Sequence, residues 1–355
     1  MVAVTSYTAP GLRGTGRLAR ARRLHVAFAL VLVAVSLVSL GTGATGLSLG
    51  TILHALTGAE ALGEVDRVVL FDIRLPRLLT GAAVGAALAS SGAVLQGLFR
   101  NPLADPGIIG VSSGAGLGAI TVIVLGGSVA FVPSGAYAVP VAAFLGAWAV
   151  TFGLYCISTR GGRTSVATML LAGIAVAALS GALAGVFIYM ADDQQLRDLT
   201  FWNLGSLAGS SWTKLAASGP PILLAIVMAC TLGPALNALA LGEATAAHVG
   251  FEVERVKSLA ILSVALGTGA AVAVSGGIGF IGIVVPHLLR LATGPDHRAL
   301  LFNSALCGAV LLIVADTLAR IVAAPAELPI GILTAIFGAP VFLWILLRRR
   351  GLEGI

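Results

Sequence analysis

Charged side chains are scarce in this sequence, and their scarcity excludes several classes of protein. Asp, Glu, Lys and Arg make up 10% of the 355 residues, and hydrophobic residues make up 58%. The mean hydropathy is +1.02. A soluble domain carries about 25% charged residues, because polar groups must cover its surface. A soluble enzyme and a disordered chain are therefore excluded. Nucleic acid is not an expected partner, since the basic residues lie at segment ends rather than in one patch.

Lysine is rarer still, and this limits the chemistry that the chain can perform. Lys214 follows a threonine and Lys257 follows a valine, so neither fits the G-x-x-x-x-G-K-[ST] loop that holds nucleotide phosphates. A Ser/His/Asp triad and the H-E-x-x-H zinc motif are also missing from the sequence. We therefore expect no enzyme activity, no catalytic residue and no cofactor bound by this chain.

Cysteines and acidic residues within apolar runs are few as well. Cys156, Cys230 and Cys307 lie in separate runs without the spacing of metal ligands, so we expect buried thiols and no metal site. Ion-coupled carriers usually place acidic or histidine residues at mid-membrane depth, and the apolar runs are nearly free of them. Asp316 is the main exception. Because Arg320 follows it by one helical turn, we expect a local ion pair there.

Long apolar runs, by contrast, are abundant. A helix needs about 20 apolar residues to cross about 30 Å of hydrocarbon. The clear runs cover residues 24–40, 76–98, 108–126, 137–157, 166–190, 220–239, 258–278, 299–321 and 330–347. A shorter run at 280–293 is interrupted by glycine and proline. The predicted fold class is therefore an all-α polytopic membrane protein with about ten transmembrane helices.

The basic residues predict how these helices are oriented. With the N-terminus in the cytoplasm, most of the 21 Lys and Arg residues fall on the cytoplasmic side, as in most membrane proteins. Both termini are then cytoplasmic. We expect a basic N-terminal tail at 1–23, one transmembrane domain at 24–350 with a cytoplasmic loop at 237–257, and a C-terminal tail at 351–355.

Two stretches carry several motifs in a fixed order. The first contains Asp72-Ile-Arg-Leu-Pro-Arg77, Gln96, Arg100-Asn-Pro-Leu-Ala-Asp-Pro-Gly107 and Gly110-Val-Ser-Ser-Gly-Ala115. The second contains Gly279-Phe-Ile-Gly-Ile-Val-Val-Pro-His-Leu-Leu-Arg290, Asp296-His-Arg298, Ala315-Asp-Thr-Leu-Ala-Arg320 and Glu327-Leu-Pro-Ile-Gly331. From residue 72 to the C-terminus, their order and spacing resemble the permease subunits of type II ABC importers, the FecCD-like family that moves iron-siderophores, haem and cobalamin.

The resemblance implies a multi-subunit importer in the bacterial cytoplasmic (inner) membrane, surrounded by lipid. The expected partners are a second copy of the chain, two ATP-binding subunits that use ATP and Mg, and a periplasmic or lipid-tethered substrate-binding protein. The segment at 192–207 looks most similar to that of haem permeases. We therefore expect haem or a related iron or corrinoid chelate as cargo. An iron-siderophore or cobalamin permease is the alternative within the family, and an ion-coupled secondary transporter is the alternative of another class.

The resemblance also implies two groups of residues at opposite ends of the helices. A docking socket for the binding protein would consist of arginines at predicted outer helix ends, namely Arg74, Arg77 and Arg320. Each of them could instead be an interfacial arginine that extends toward the membrane surface. A coupling site for the ATPase would lie on and beside a short helix between Gly242 and Gly250, with Glu243, His248 and Glu254 as contacts. The apolar residues Ala246, Val249 and Phe251 could complete that contact.

A gate and a substrate mouth are the remaining expected sites. Asn101-Pro102 and Asp105-Pro106 break the helix after residue 98, because proline lacks an N–H and restricts the residue before it. The family resemblance makes this turn, with Asn101 and Leu103, one part of a cytoplasmic gate, and Ser165 with Val166 the other. An ordinary turn is the alternative. For a haem cargo, the mouth would combine a cation for the propionates with aromatic rings, namely Arg197 with Tyr189, Phe201 and Trp202. Alternatively, Arg197 pairs with the neighbouring acids.

Overall fold

The computed structural model describes residues 12–43, 47–56, 62–126, 137–324 and 326–350, and α-helix dominates these parts of the chain. The first helices are α1 (Leu12–Gly41), α2 (Leu49–Leu56), α3 (Glu64–Val68), α4 (Leu75–Leu98), α5 (Val111–Leu125), α6 (Ala138–Ser158), α7 (Val166–Met190) and α8 (Asp193–Leu204). They are followed by α9 (Trp212–Thr231), α10 (Gly233–Ala240), α11 (Glu243–His248), α12 (Val253–Ser275), α13 (Ile281–Thr293), α14 (His297–Val322) and α15 (Ile330–Arg350).

Short irregular elements connect several of these helices. A π-helical turn at Val69–Arg74 joins α3 to α4, and a 3-10 turn at Pro106–Ile109 precedes α5. Two short antiparallel strands, β1 (Thr159–Arg160) and β2 (Arg163–Thr164), form a hairpin between α6 and α7. The backbone polar groups of helices are satisfied within each segment, which suits a chain that is surrounded by hydrocarbon.

The predicted helical membrane fold is confirmed. Seven helices are long and apolar enough to cross a membrane, and three shorter apolar helices at Val111–Leu125, Ile281–Thr293 and Ile330–Trp344 lie beside them in the described residues. The seven are Arg20–Gly41, Glu64–Leu98, Ala138–Ser158, Val166–Met190, Trp212–Thr231, Val253–Ser275 and His297–Val322. Every predicted run overlaps one of these ten helices. The side on which each terminus lies stays a prediction.

The predicted run at 220–239 differs most from the observed helices. The structure begins α9 at Trp212, because the hydroxyl of Ser211 accepts a hydrogen bond from the backbone N–H of Lys214 at 3.3 Å and caps the helix. The apolar run begins only at residue 220 because the first turn of α9 contains the polar residues Thr213 and Lys214. The same run is divided at Leu232, where Pro234 opens α10 and lacks the N–H needed to continue α9.

α4 lies at the centre of the bundle and packs against α9, α12, α13 and α14. Glycines allow its backbone to approach two of these neighbours. A Cβ at Gly85 would overlap the carbonyl oxygen of Gly308 in α14, and a Cβ at Gly92 would overlap the carbonyl oxygen of Gly282 in α13. Contacts of this kind hold membrane helices together by close packing, since lipid supplies no hydrophobic driving force between them. α4 and α14 are therefore a tightly packed pair.

α7 is much less covered by the rest of the chain. Leu171, Ile174 and Leu179 are 70%, 66% and 60% exposed. Nothing lies within 4 Å of a Cβ built at Gly181 or Gly185. The described part of the chain thus leaves an apolar face of α7 open to lipid or to another protein.

The cysteine prediction is partly wrong. Cys156 is exposed on α6, whereas Cys230 and Cys307 are half-buried. Lipid can cover an apolar thiol as well as protein can, so an apolar run does not determine which of its faces is turned inward.

Candidate docking, gating and coupling sites

Two of the three predicted docking arginines share one buried carboxylate. Arg77 of α4 donates from Nε and Nη2 to Oδ1 of Asp316 in α14, at 3.0 and 2.8 Å. Arg320 contacts Oδ2 of Asp316 through Nε at 3.3 Å, which confirms the predicted local ion pair. The second terminal nitrogen of Arg77, Nη1, donates to Oε1 of Glu327 at 2.8 Å. We call these four residues the outer charge cluster, after the side of the membrane on which the sequence predicts them.

The exposure of the outer charge cluster is uneven. The side chains of Arg77, Asp316 and Arg320 are 9%, 5% and 10% exposed, whereas that of Glu327 is 39% exposed. Glu327 is therefore the member that a partner can reach first. A carboxylate of a partner protein could bind Arg77 only by displacing Glu327 from its Nη1.

The third arginine, Arg74, lies beside the end of α1. Its Nη1 donates to the carbonyl oxygen of Leu40 and, at 3.2 Å, to that of Leu47. Arg320 also reaches this end of α1, where it donates to the carbonyl oxygen of Thr42 at 2.9 Å and to the hydroxyl of Ser39 at 2.8 Å. Arginines suit this place because the last carbonyls of a helix lack partners within the helix and carry partial negative charge. All three arginines thus have intramolecular partners, and their docking role stays a prediction.

The first predicted gate segment is a tight turn between α4 and α5. The side-chain oxygen of Asn101 accepts a hydrogen bond from the backbone N–H of Leu103 at 3.0 Å. The backbone N–H of Asn101 donates to the backbone carbonyl oxygen of Gln96 at 3.2 Å. Asn101 is exposed and Leu103 is half-buried. The carboxylate of Asp105 then accepts from the N–H of Gly107 at 2.8 Å and caps the 3-10 turn. Burial raises the pKa of Asp105 above its ordinary value.

The second predicted gate segment follows the β1–β2 hairpin. The hydroxyl of Ser165 accepts a hydrogen bond from the N–H of Thr168 at 3.2 Å and so caps α7. Ser165 is exposed and Val166 is half-buried. Farther along α7, Gly173 lies against the carbonyl oxygen of Ile108 in the 3-10 turn. The 3-10 turn that follows the first predicted gate segment therefore contacts the helix that begins at the second one.

The short helix of the predicted coupling site has the expected limits. α11 begins at Glu243 after Gly242, whose φ is +117°, and Gly250, with φ of +97°, follows its end. These are left-handed conformations that favour glycine. Nδ1 of His248 lies 2.7 Å from the carbonyl oxygen of Ala244, one turn earlier.

The sequence predicts that the three apolar residues of this loop share one contact with a partner. The structure does not place them on one face. Val249 is 67% exposed, but Ala246 is fully buried in the core and Phe251 packs partly against it. The loop packs against the helix bundle through Ala246 and Phe251, so Val249 is the one of the three that is free to contact a partner.

A residue that the sequence did not single out joins the predicted coupling site to the hairpin that precedes the second predicted gate segment. Lys257, in the second turn of α12, is 3% exposed. Its Nζ donates to Oε2 of Glu243 at 2.9 Å, to Oε1 of Glu254 at 3.0 Å and to the carbonyl oxygen of Thr164 at 2.9 Å. Oε2 of Glu254 accepts from the N–H of Thr164 at 2.8 Å. We call these four residues the lysine hub. An open cleft of about 880 Å³ lies beside it.

The predicted substrate mouth is only partly assembled. Tyr189, near the end of α7, is 92% exposed, and Phe201 in α8 is 54% exposed. Arg197 lies one turn before Phe201, is also exposed, and has no ion-pair partner in the described parts of the chain. The predicted alternative, a pair with the neighbouring acids, is therefore not what the structure shows. Trp202 turns inward and packs against the core.

The amino-acid sequence matches one family of membrane proteins along nearly the whole chain. The FecCD transport family matches residues 30–348, which include the outer charge cluster, both gate segments and the lysine hub. The chain belongs to the FecCD transport family. The resemblance to importer permeases that the motifs predicted is thereby confirmed.

Relatives and one solved structure agree with this assignment. The chain is 45% identical over 329 residues to the hemin transport system permease protein HmuU of Yersinia pestis, which covers 92% of this chain and 96% of the relative. It is 43% identical over 300 residues to the cobalamin import system permease protein BtuC of Halobacterium salinarum, covering 84% and 79%. A structure of an inward-facing metal-chelate type ABC transporter matches with a TM-score of 0.81 and 34% identity, covering 92% and 99%.

Sequence reasoning about this FecCD-family chain missed Lys257, Thr164 and the contact of Arg77 with Asp316. One signal for the lysine hub was available, because Lys257 follows Glu254 by three residues on a helix and is one of two lysines. The contacts of Lys257 with Thr164 and of Arg77 with Asp316 span 93 and 239 positions. No local pattern predicts such pairs.

Proposed function

We propose that this chain is the membrane-spanning subunit of an ATP-driven importer that moves haem from a binding protein across the cytoplasmic membrane. The observation that carries this proposal is the full-length similarity to the hemin permease, at 45% identity over 92% of this chain. Arg197 supports it, because it is exposed one turn before the exposed ring of Phe201 on α8 and has no ion-pair partner in the described residues, and haem combines anionic propionates with an apolar ring.

Cobalamin is the second candidate cargo. The cobalamin permease of Halobacterium salinarum is nearly as similar, at 43% identity over 84% of this chain. Iron-siderophores are the third candidate cargo within the family. An ion-coupled carrier is the candidate of another class. Such carriers usually place an acidic residue within the membrane to bind the ion. The buried acid of the outer charge cluster, Asp316, is instead paired with Arg77 and Arg320.

The proposed assembly contains two copies of this chain around a two-fold axis. Its support is the uncovered apolar face of α7, which carries Gly181 and Gly185 in open space. A two-fold interface uses the same patch on both copies. Small residues let the two backbones approach closely. The translocation path then runs along the axis, with Asn101, Leu103, Ser165 and Val166 at its cytoplasmic gate.

The proposed partners bind at the two membrane surfaces. Two separate ATP-binding subunits, which use ATP and Mg, dock on α11 with Glu243, His248 and Glu254. A periplasmic or lipid-tethered binding protein docks at the outer charge cluster and Arg74. Both termini of the chain lie in the cytoplasm, in agreement with the distribution of basic residues.

The direct test is reconstitution of the chain with its ATP-binding subunit in lipid vesicles, with binding protein and cargo supplied outside. We expect haem uptake only when Mg-ATP is inside, and no hydrolysis by the purified chain alone. Cobalamin uptake in place of haem would establish the second candidate. Uptake driven by a proton or sodium gradient without ATP would contradict the proposal.

A further inference from the structure

The lysine hub connects α11, the proposed docking helix, to the hairpin that leads into the proposed gate. Glu243 is the first residue of α11, the proposed docking helix for the ATPase. Thr164 ends the β1–β2 hairpin and directly precedes Ser165, which caps α7 at the proposed gate. Lys257 contacts both of them with the same ammonium group, at 2.9 Å each. A single buried side chain therefore joins the docking helix to the gate.

Thr164 is held at both of its backbone polar groups. Its carbonyl oxygen accepts from Lys257 at 2.9 Å, and its N–H donates to Glu254 at 2.8 Å. Its side-chain hydroxyl lies 3.0 Å from that of Thr159 across the hairpin. The next residue, Ser165, binds the backbone of Ser158 at 2.9 Å and caps α7. A shift of the Lys257 ammonium thus acts directly on the backbone at the start of α7.

The ammonium group of Lys257 is buried, and the two carboxylates that balance its charge are half-buried or exposed. The side chain of Lys257 is 4% exposed, whereas those of its partners Glu243 and Glu254 are 45% and 35% exposed. A buried ammonium needs its counter-charges and hydrogen bonds, because water is not there to replace them. Displacement of Glu243 therefore forces Lys257 to move with it or to lose a partner.

A neighbouring basic residue shows the contrast. Arg255 lies two residues before Lys257 on α12, and among the described residues its ion-pair partner is Glu252 alone, at 3.8 Å, with side chains that are 72% and 76% exposed. Such an exposed pair contributes little, since water screens it. Arg255 therefore offers a matched control for the removal of a basic side chain from α12.

We propose that Lys257 is a positioning residue that transmits movement of α11 to the β1–β2 hairpin and hence to the gate at the start of α7. This inference rests on the proposed function, in which α11 receives the ATPase. Nucleotide binding by the partner shifts α11, the Glu243 carboxylate moves with it, and the ammonium of Lys257 carries Thr164 along. A packed interface of this kind changes between discrete arrangements rather than deforming continuously.

The experiment compares wild type, Lys257→Met and Arg255→Met, each assembled with the ATP-binding subunit in lipid vesicles. Two quantities are measured, namely haem uptake per ATP hydrolysed and hydrogen exchange of residues 159–166 and 243–248 with and without Mg-ATP. In wild type and Arg255→Met, we expect Mg-ATP to change the exchange of both segments. In Lys257→Met, the change should persist at 243–248 and disappear at 159–166. Uptake per ATP should fall about tenfold, within the usual range for coupling between distant sites.

The outcomes separate this inference from the proposed function. If wild type shows no ATP-driven uptake and no nucleotide effect at 243–248, the proposed function fails. If wild type behaves as expected and Lys257→Met still transmits the change to 159–166 with normal uptake, Lys257 is not the connection and this inference alone fails. If Lys257→Met does not assemble, Lys257→Gln replaces it, because its shorter amide is polar enough for the site but carries no charge to follow Glu243. The change at 159–166 should again disappear, and its persistence with normal uptake would overturn the inference.

Discussion

Arg77 of α4 and Asp316 of α14 form a bidentate ion pair across two closely packed helices, although 239 positions separate them in the sequence. The planar guanidinium is suited to this geometry, because two of its N–H groups point in the same direction. The pair is almost fully buried, and Arg320 and Glu327 complete its charge balance. The cluster therefore links α4 to α14 at the end of both helices that the sequence predicts to be outer.

Removal of Arg77 should destabilise the protein. In Arg77→Ala, Asp316 keeps only Arg320, and Glu327 loses its partner. Breaking a buried pair by removing one member costs about 3–5 kcal/mol. We expect a lower unfolding temperature of the detergent-solubilised protein. Arg67→Ala is the control, because Arg67 is an exposed arginine in the same part of the chain. Equal unfolding temperatures for the two variants would show that the pair adds no stability.

Neutralising Glu327 should strengthen docking of the binding protein. If an acidic residue of that partner reaches Arg77, it competes with Glu327, the exposed carboxylate of the outer charge cluster. Glu327→Gln should therefore bind the partner several times more tightly, and Arg77→Glu should weaken capture, most clearly at low salt where charges are least screened. Affinity is measured with the chain in nanodiscs. Unchanged affinity in both variants would place the docking surface elsewhere.

Enlarging Gly181 should disrupt the proposed dimer without harming the fold of the single chain. Nothing lies within 4 Å of a Cβ at Gly181, so Gly181→Leu meets no obstacle within the described chain. At a two-fold interface, however, the new side chain would meet its own copy. Gly153→Leu on α6 is the control, since its surroundings are equally open. Native mass spectrometry should show fewer dimers for Gly181→Leu alone. Equal dimer fractions would exclude this part of α7 from the interface.

Replacing Arg197 should slow haem uptake. Arg197 is exposed on α8 and unpaired in the described residues, so its loss leaves the fold intact. A hydrogen bond to a charged group contributes about 1.5–3 kcal/mol. Arg197→Ala should therefore raise the haem concentration for half-maximal uptake roughly ten- to a hundredfold, while assembly with the ATP-binding subunit stays normal. Lys214→Ala removes another cation from the predicted outer side and should leave uptake unchanged. Normal uptake by Arg197→Ala would contradict a role in the substrate mouth.

The sequence by itself was enough to determine the class of fold and the local elements. Apolar runs of sufficient length predict membrane helices, because only hydrogen-bonded helices or closed barrels can cross hydrocarbon. Gly242 and Gly250 mark the limits of α11, since their left-handed backbone favours glycine. The pair of Asp316 with Arg320 follows from helical spacing. Each of these features depends on residues within a few positions of one another.

Only the tertiary structure decided which distant side chains share a buried site. Arg77 could have been an interfacial arginine at a helix end, but the packing of α4 against α14 directs it to Asp316. Lys257 carries no motif, yet the hairpin and α11 both close over it. In the same way, α8 turns Trp202 into the core and leaves Arg197 outside. A periodic apolar pattern shows that a helix has a buried face, but the neighbours of that face depend on how the helices pack.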